Sequence, residues 1–250
     1  MKKHLSVFGL IARHSFYKIL LLLLAMCGIE LFVFQRRLSA ARELYEVLGS
    51  FPRPESLITS SGVGMGFMIA FVLIFLLLCL TAGGYNTRTG YTVSRLLINE
   101  RHFYFWGVLY YAAMLLALWA AQALTVFFMS MLYEQAAPSA LVSAQTVMLG
   151  FYRSELLHAI LPLEDVGLWV RNLLVLFSLS LTAASFSYLN RRGRFGTSAL
   201  AAALYAIATF KSEIGDGFYL FSSVLIFVVI SFETVYHLWS GGKSDETEEV

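Results

Sequence analysis

Charge is scarce in this chain. Lys, Arg, Asp and Glu make up 14% of its 250 residues, against about 25% in a soluble globular protein. Hydrophobic residues make up 58%, and the mean hydropathy is +0.71. These values exclude a soluble domain and mark an integral membrane protein. Cysteine is nearly absent: Cys27 and Cys79 both lie inside apolar runs, so no disulfide framework is supported and the redox compartment cannot be read from them. Proline is limited to Pro52, Pro54, Pro138 and Pro162; all fall outside the strongest apolar segments and mark breaks between elements. The net charge of +2 comes with no basic cluster interleaved with aromatics, so nucleic acid is not an expected partner. Enzyme motifs are missing as well. There is no His-Glu-x-x-His metal site and no Gly-x-Ser-x-Gly elbow. Gly242-Lys243-Ser244 resembles the end of a phosphate-binding loop, but His237 stands where the loop's first glycine belongs and no strand precedes it. No catalytic residue is assigned, and no metal site.

What is present is a series of apolar runs. The sequence predicts an all-α integral membrane fold with six transmembrane helices, at about 16–35, 61–83, 103–132, 167–189, 197–210 and 218–239. Residues 2–18 carry Lys2, Lys3, Arg13 and Lys18 without an acid, and Leu5, Phe8, Ile11 and Ala12 recur at helical spacing. They read as an interfacial helix ahead of the first span. The apolar run continues past Cys27, which favours a span over a cleaved signal peptide. No breaker separates that span from Arg36 to Leu48, so the helix is expected to project from the bilayer and stop at Gly49. The second span opens with Gly62 and Gly66, a small-xxx-small spacing that allows close helix approach.

Tyr104, Phe105, Trp106, Tyr110 and Tyr111 form an interfacial aromatic belt at the start of the third span. Residues 133–166 are net acidic, and after Pro138 a helical stripe through Val147, Phe151, Leu156 and Ile160 reads as an amphipathic surface helix. The fifth span has only 14 residues before Lys211, about 21 Å of helix against a core of roughly 30 Å. The polar group from Lys211 to Gly217 is therefore expected to dip below the outer surface. Residues 241–250 read as a polar, disordered tail rich in acids.

Orientation follows from the basic residues. With the N-terminus inside, 11 of the 18 Lys and Arg fall on the cytoplasmic side, and the positive-inside rule places both termini in the cytoplasm of a cell-membrane protein. Two polar sets then stand out. Between spans two and three lies the island Gly83 to His102, which carries Arg88, Arg95 and Arg101 against Glu100. It is long enough for about two turns of helix, from roughly Thr89 to Ile98, and reads as a docking element for a soluble partner. Its plainer reading is a positive-inside loop. Within or beside the spans are Glu30, Gln122, Lys211, Glu213 and Asp216. Intramembrane acids usually face a bundle interior or a cavity; the alternative for Glu30 is a place near the outer interface, reaching headgroups or Arg36 and Arg37. Glu233 and His237, four apart on the last span, read as a hydrogen-bonded pair or as an incomplete proton or metal site.

In this organisation, with six spans, a helical basic loop at Arg88-Thr89-Gly90-Tyr91-Thr92-Val93-Ser94-Arg95-Leu96-Leu97 followed by Asn99-Glu100-Arg101, and a short fifth span before a polar outer element, the chain resembles the membrane (permease) subunit of a type-two ATP-binding-cassette (ABC) exporter. Ile98-Asn99 stand where that family often has a proline. The resemblance implies that the loop is a coupling helix seated in a cleft of a separate ABC ATPase subunit, with Arg88, Tyr91, Arg95 and Arg101 as contacts. It implies a second permease copy, in a homodimer or heterodimer, and ATP and Mg bound by the partner subunit alone. The second polar set, Glu30, Gln122, Lys211, Glu213 and Asp216, would line the translocation path or its outer gate, and the cargo would be a peptide, an antimicrobial or a lipid. Two other readings of the residues stay open: an ion- or proton-coupled carrier using Glu30 and Glu233/His237, and a non-transporting scaffold or immunity protein.

Overall fold

The structure, a computed structural model, describes residues 2–81, 100–138, 142, 145, 153, 155–162, 165–191, 197–211 and 217–245. Among these residues every regular element is a helix. In chain order they are α1 (Lys2–Leu48), α2 (Pro54–Ser60), α3 (Val63–Thr81), α4 (Glu100–Ala136), α5 (Glu155–Ile160), α6 (Val166–Arg191), α7 (Thr197–Lys211) and α8 (Gly217–Asp245).

Four stretches are long and apolar enough to cross a membrane: Ser15–Val47 in α1, Val63–Leu80 in α3, Phe103–Ala136 in α4 and Val166–Phe186 in α6. This is the architecture of a membrane protein. The apolar stretches Thr197–Phe210 in α7 and Leu220–Tyr236 in α8 are shorter; the first lacks the full apolar length of the expected fifth span, and the second lies within a helix that extends beyond it at both ends. At about 1.5 Å per residue, the 15-residue α7 extends about 22 Å.

Several boundaries differ from the sequence expectation. The basic N-terminal segment is not a separate interfacial helix; it is the first part of the 47-residue α1, because nothing in it interrupts the hydrogen-bond ladder. That helix ends after Leu48, as expected. Gly49 takes the left-handed conformation (φ 67°) and its N–H donates to Tyr45 O at 2.9 Å, which closes the C-terminus. The short helix α2 was not anticipated, although Pro54 occupies its first turn beside Glu55, where proline's fixed φ suits a helix start. A turn at Ser61-Gly62 separates α2 from α3, with Gly62 at φ 74°. Gly62 is therefore not part of the second span, and the expected pairing of Gly62 with Gly66 on one helix face does not form. The last helix runs to Asp245, so residues 241–245 of the expected disordered tail are helical; Gly241-Gly242 lowers helix propensity without ending the helix. Of the amphipathic stripe after Pro138, only α5 and scattered neighbours fall within the described residues.

The chain divides into two compact units. One comprises Met1–Ile19, Val72–Leu116 and Val166–Val250, and the other Leu20–Phe71 and Ala117–Asp165.

In the first unit α6 packs against α7 and α8. Much of the buried surface of α6 is small: Ser178, Ser180, Thr182, Ala183, Ala184 and Ser185 are all buried, on every side of the helix. Small side chains let helix backbones approach closely where lipid offers no hydrophobic drive. Most of these hydroxyls return their hydrogen to the same helix, as in Ser180 Oγ to Leu176 O at 2.7 Å and Thr182 Oγ1 to Ser178 O at 2.8 Å. Two tyrosines of the expected aromatic belt make hydrogen bonds within this unit. Tyr110 shares a 2.9 Å hydrogen bond with Ser15, and Tyr104 donates to Leu181 O at 2.9 Å.

In the second unit, a core of Phe34, Leu38 and Ala41 from α1 meets Leu57 and Ile58 from α2, Val63 from α3 and Val126, Met129 and Tyr133 from α4. The α1 members recur at four and three residues, which is one helical face. Tyr133 closes the unit: its hydroxyl donates to Pro52 O at 2.9 Å and its ring lies 5.6 Å from that of Phe51. Arg42 donates to the carbonyls of Gln135 and Ala136 at 3.4 and 3.2 Å, placing a cation at the negative end of the α4 dipole. Since Glu30 meets Gln122 and Arg42 meets Ala136, α1 and α4 run side by side in the same direction.

Candidate functional site

The core face of α1 in the second unit continues back from Phe34 through Glu30 to Met26 and Leu23, all buried. The core face of α4 likewise runs back from Met129 and Val126 to Gln122 and Leu118. Helical periodicity thus puts one carboxyl and one carboxamide into positions that the pattern otherwise fills with apolar side chains. Glu30 is 3% exposed and Gln122 0%, so neither faces lipid or water.

The two groups meet. Gln122 Nε2 donates to Glu30 Oε2 at 2.9 Å. This answers the question left open by sequence: Glu30 turns into the helix packing and does not reach for headgroups, Arg36 or Arg37. Arg36 lies over the ring of Phe32, 5.3 Å from its centre. No hydrogen bond or ion pair joins Arg36 to Glu30 among the described residues.

Gly66 forms the third wall. A β-carbon at this position would collide with Glu30 Oε1 and stand 3.2 Å from both Cδ and Cγ. The carboxyl therefore occupies the space that any larger residue on α3 would fill. Here the close-approach role expected of the glycine pair belongs to Gly66 alone, and it admits a side chain rather than a backbone.

Chemically the pair is unfinished. Glu30 Oε1 and Gln122 Oε1 are both buried without a hydrogen-bond partner. A buried polar atom left unpaired costs about 1–3 kcal/mol, and more if it is charged. Among the described residues Gln122 is the one group bonded to Glu30.

The other expected site residues lie elsewhere. Lys211 is the last residue of α7, in the first unit, while Glu213 and Asp216 lie outside the described residues. Arg88, Tyr91 and Arg95 also lie outside them, with the whole expected coupling helix, and Arg101 falls in the first turn of α4. Glu233 is exposed on α8. No group of three or more His, Cys, Asp or Glu able to hold a metal occurs among the described residues. In the first unit Arg171 and Asn172 are buried, with Arg171 Nη2 donating to Asn172 Oδ1 at 3.1 Å. Gly66 is the site residue that sequence reasoning missed in this role; the contact it permits joins elements far apart in the chain.

Compared with known proteins, the chain matches no family model, no curated sequence and no solved structure.

Proposed function

We propose that this chain is the membrane-spanning subunit of an ATP-driven, type-two ABC exporter. The observation that carries the reading is the basic segment 82–99, which joins α3 to α4, two helices that are each apolar and long enough to cross the bilayer. Three Arg residues at or beside such a connection favour its cytoplasmic side, where an ATPase subunit would meet it. The parallel course of α1 and α4 supports the reading, because a first and a third crossing must run the same way. Helices α7 and α8 would supply the fifth and sixth crossings, with both termini in the cytoplasm. The chain has no phosphate-binding loop, so ATP and Mg belong to the partner.

In the proposed cycle, ATP draws two ATPase subunits together and moves the coupling segments of two permease copies. Their helices then exchange inward-facing and outward-facing arrangements around the cargo, a peptide, an antimicrobial or a lipid. The coupling requires the segment to bind the ATPase differently in the two states. Arg88, Tyr91, Arg95 and Arg101 are the proposed contacts, and Glu30, Gln122, Lys211, Glu213 and Asp216 the proposed polar residues of the path or its outer gate.

Charge reversal at Arg95 and Arg101 together tests the docking. Co-purification of the ATPase should fall about tenfold or more, equivalent to about 1.4 kcal/mol, with membrane insertion unchanged. Undiminished co-purification would remove the docking role.

A further inference from the structure

One added proton would complete the hydrogen bonding of Glu30 and Gln122. Each group has one buried oxygen left over, Glu30 Oε1 and Gln122 Oε1, and two acceptors cannot satisfy each other. A carboxylic acid and a carboxamide can pair through two antiparallel bonds, with amide N–H to acid C=O and acid O–H to amide C=O. The first of these is present at 2.9 Å. The second would need a hydrogen on Glu30 Oε1 and a turn of the two end groups into one plane.

We propose that Glu30 and Gln122 form a proton-binding site within the membrane. One proton taken from water adds to Glu30 Oε1, which then donates to Gln122 Oε1; release returns the proton to water and leaves a carboxylate. The surroundings favour the neutral pair, since an ionised carboxylate with one amide donor in an apolar interior is poorly compensated. The buried positions about one turn away are Met26 and Phe34 on α1, Val63 and Ala70 on α3, and Leu118, Thr125 and Val126 on α4; Thr125 donates its hydroxyl hydrogen to Ala121 O at 2.8 Å. None of them titrates. Gly66 presses on Oε1 from α3 and also brings no charge. Proton exchange therefore requires α1, α3 and α4 to part, which makes occupancy of the site report the packing of these helices. The site uses two of the residues assigned above to the path, but proton binding there does not rest on that reading, and its test needs no ATPase partner.

The test uses the full chain in phosphatidylcholine–phosphatidylglycerol vesicles and infrared spectroscopy at neutral pH. A carbonyl band of a protonated carboxyl is expected. It should vanish in Glu30→Gln, persist in Glu43→Gln, and move to higher frequency in Gln122→Leu, where the acid loses its acceptor. A spectrum in which Glu30→Gln removes only carboxylate absorption would overturn the proposal. Should Glu30→Gln fail to insert, a lipid-soluble carbodiimide on the unaltered protein decides the matter, because it adds to protonated carboxyls. An adduct on the peptide containing Glu30, with none on those containing Glu43 or Glu46, is expected. Absence of the Glu30 adduct would overturn the proposal.

Discussion

A methyl group added at Gly66 would meet the carboxyl of Glu30, whereas one added at Gly64, on the same helix, meets nothing within 4 Å. The two glycines should therefore respond in opposite directions to one substitution. Gly64→Ala removes backbone freedom from the unfolded chain and should be neutral or stabilising by up to about 1 kcal/mol. Gly66→Ala displaces a buried side chain and should destabilise by about 1–3 kcal/mol. Thermal melts of both variants in detergent check this; equal melting temperatures would contradict the packing. A second residue-scale prediction concerns the polar pair. Gln122→Leu strands the Glu30 carboxyl and should lower stability by about 1–3 kcal/mol. Glu30→Leu combined with Gln122→Leu replaces both partners with apolar groups and should come within about 1 kcal/mol of the parent. A double-mutant cycle measures the difference. The polarity of Glu30 and Gln122 was legible in the sequence, since each interrupts an apolar run. Their pairing was not, because the contact spans 92 residues and no local spacing records it.

At the scale of elements, helix ends were read well where a backbone conformation demanded a residue type, and poorly where two glycines looked alike. Gly49 follows the last apolar residue of α1 and adopts a positive φ, so its stop signal was readable. Gly62 and Gly66 share a spacing that suggested one helical face, yet Gly62 sits in the turn before α3 at φ 74°. Helix α2 escaped notice because seven residues are too few to show a periodicity, even with Pro54 marking its start. What fixes α2 is tertiary: Leu57 and Ile58 are buried against α1 and α4. Tyr133 joins this cluster to Pro52 O. Tyr133→Phe keeps the ring and removes the hydroxyl, so the loss should be about 0.5–1.5 kcal/mol, read as a lower melting temperature with unchanged helix content by circular dichroism. The Arg153–Glu55 ion pair at 3.2 Å is half exposed on its Arg side and should contribute about 1 kcal/mol or less.

At the scale of the whole molecule, composition alone was enough to identify a membrane protein, and four helices of spanning length agree with it. The number of crossings was less legible for a physical reason. The apolar stretch of α7 falls short of the length that a roughly 30 Å core needs, while Leu220–Tyr236 in α8 reaches the lower end of the spanning range, so composition and span count diverge at α7. The segment proposed to bind a partner was legible only as charge. Three arginines at or beside a connection between two helices of spanning length favour its cytoplasmic side; that placement and what the segment binds both belong to the proposal.

The central claim is that this chain works with a separate ATPase through residues 88–101. Affinity capture of the chain from its native membrane, followed by mass spectrometry and an ATPase assay, tests it most directly. The expected result is a stoichiometric nucleotide-binding subunit that disappears when residues 88–101 are replaced by a neutral linker. A chain that purifies alone, without ATPase activity, would contradict the exporter reading and favour an ion-coupled carrier or a scaffold.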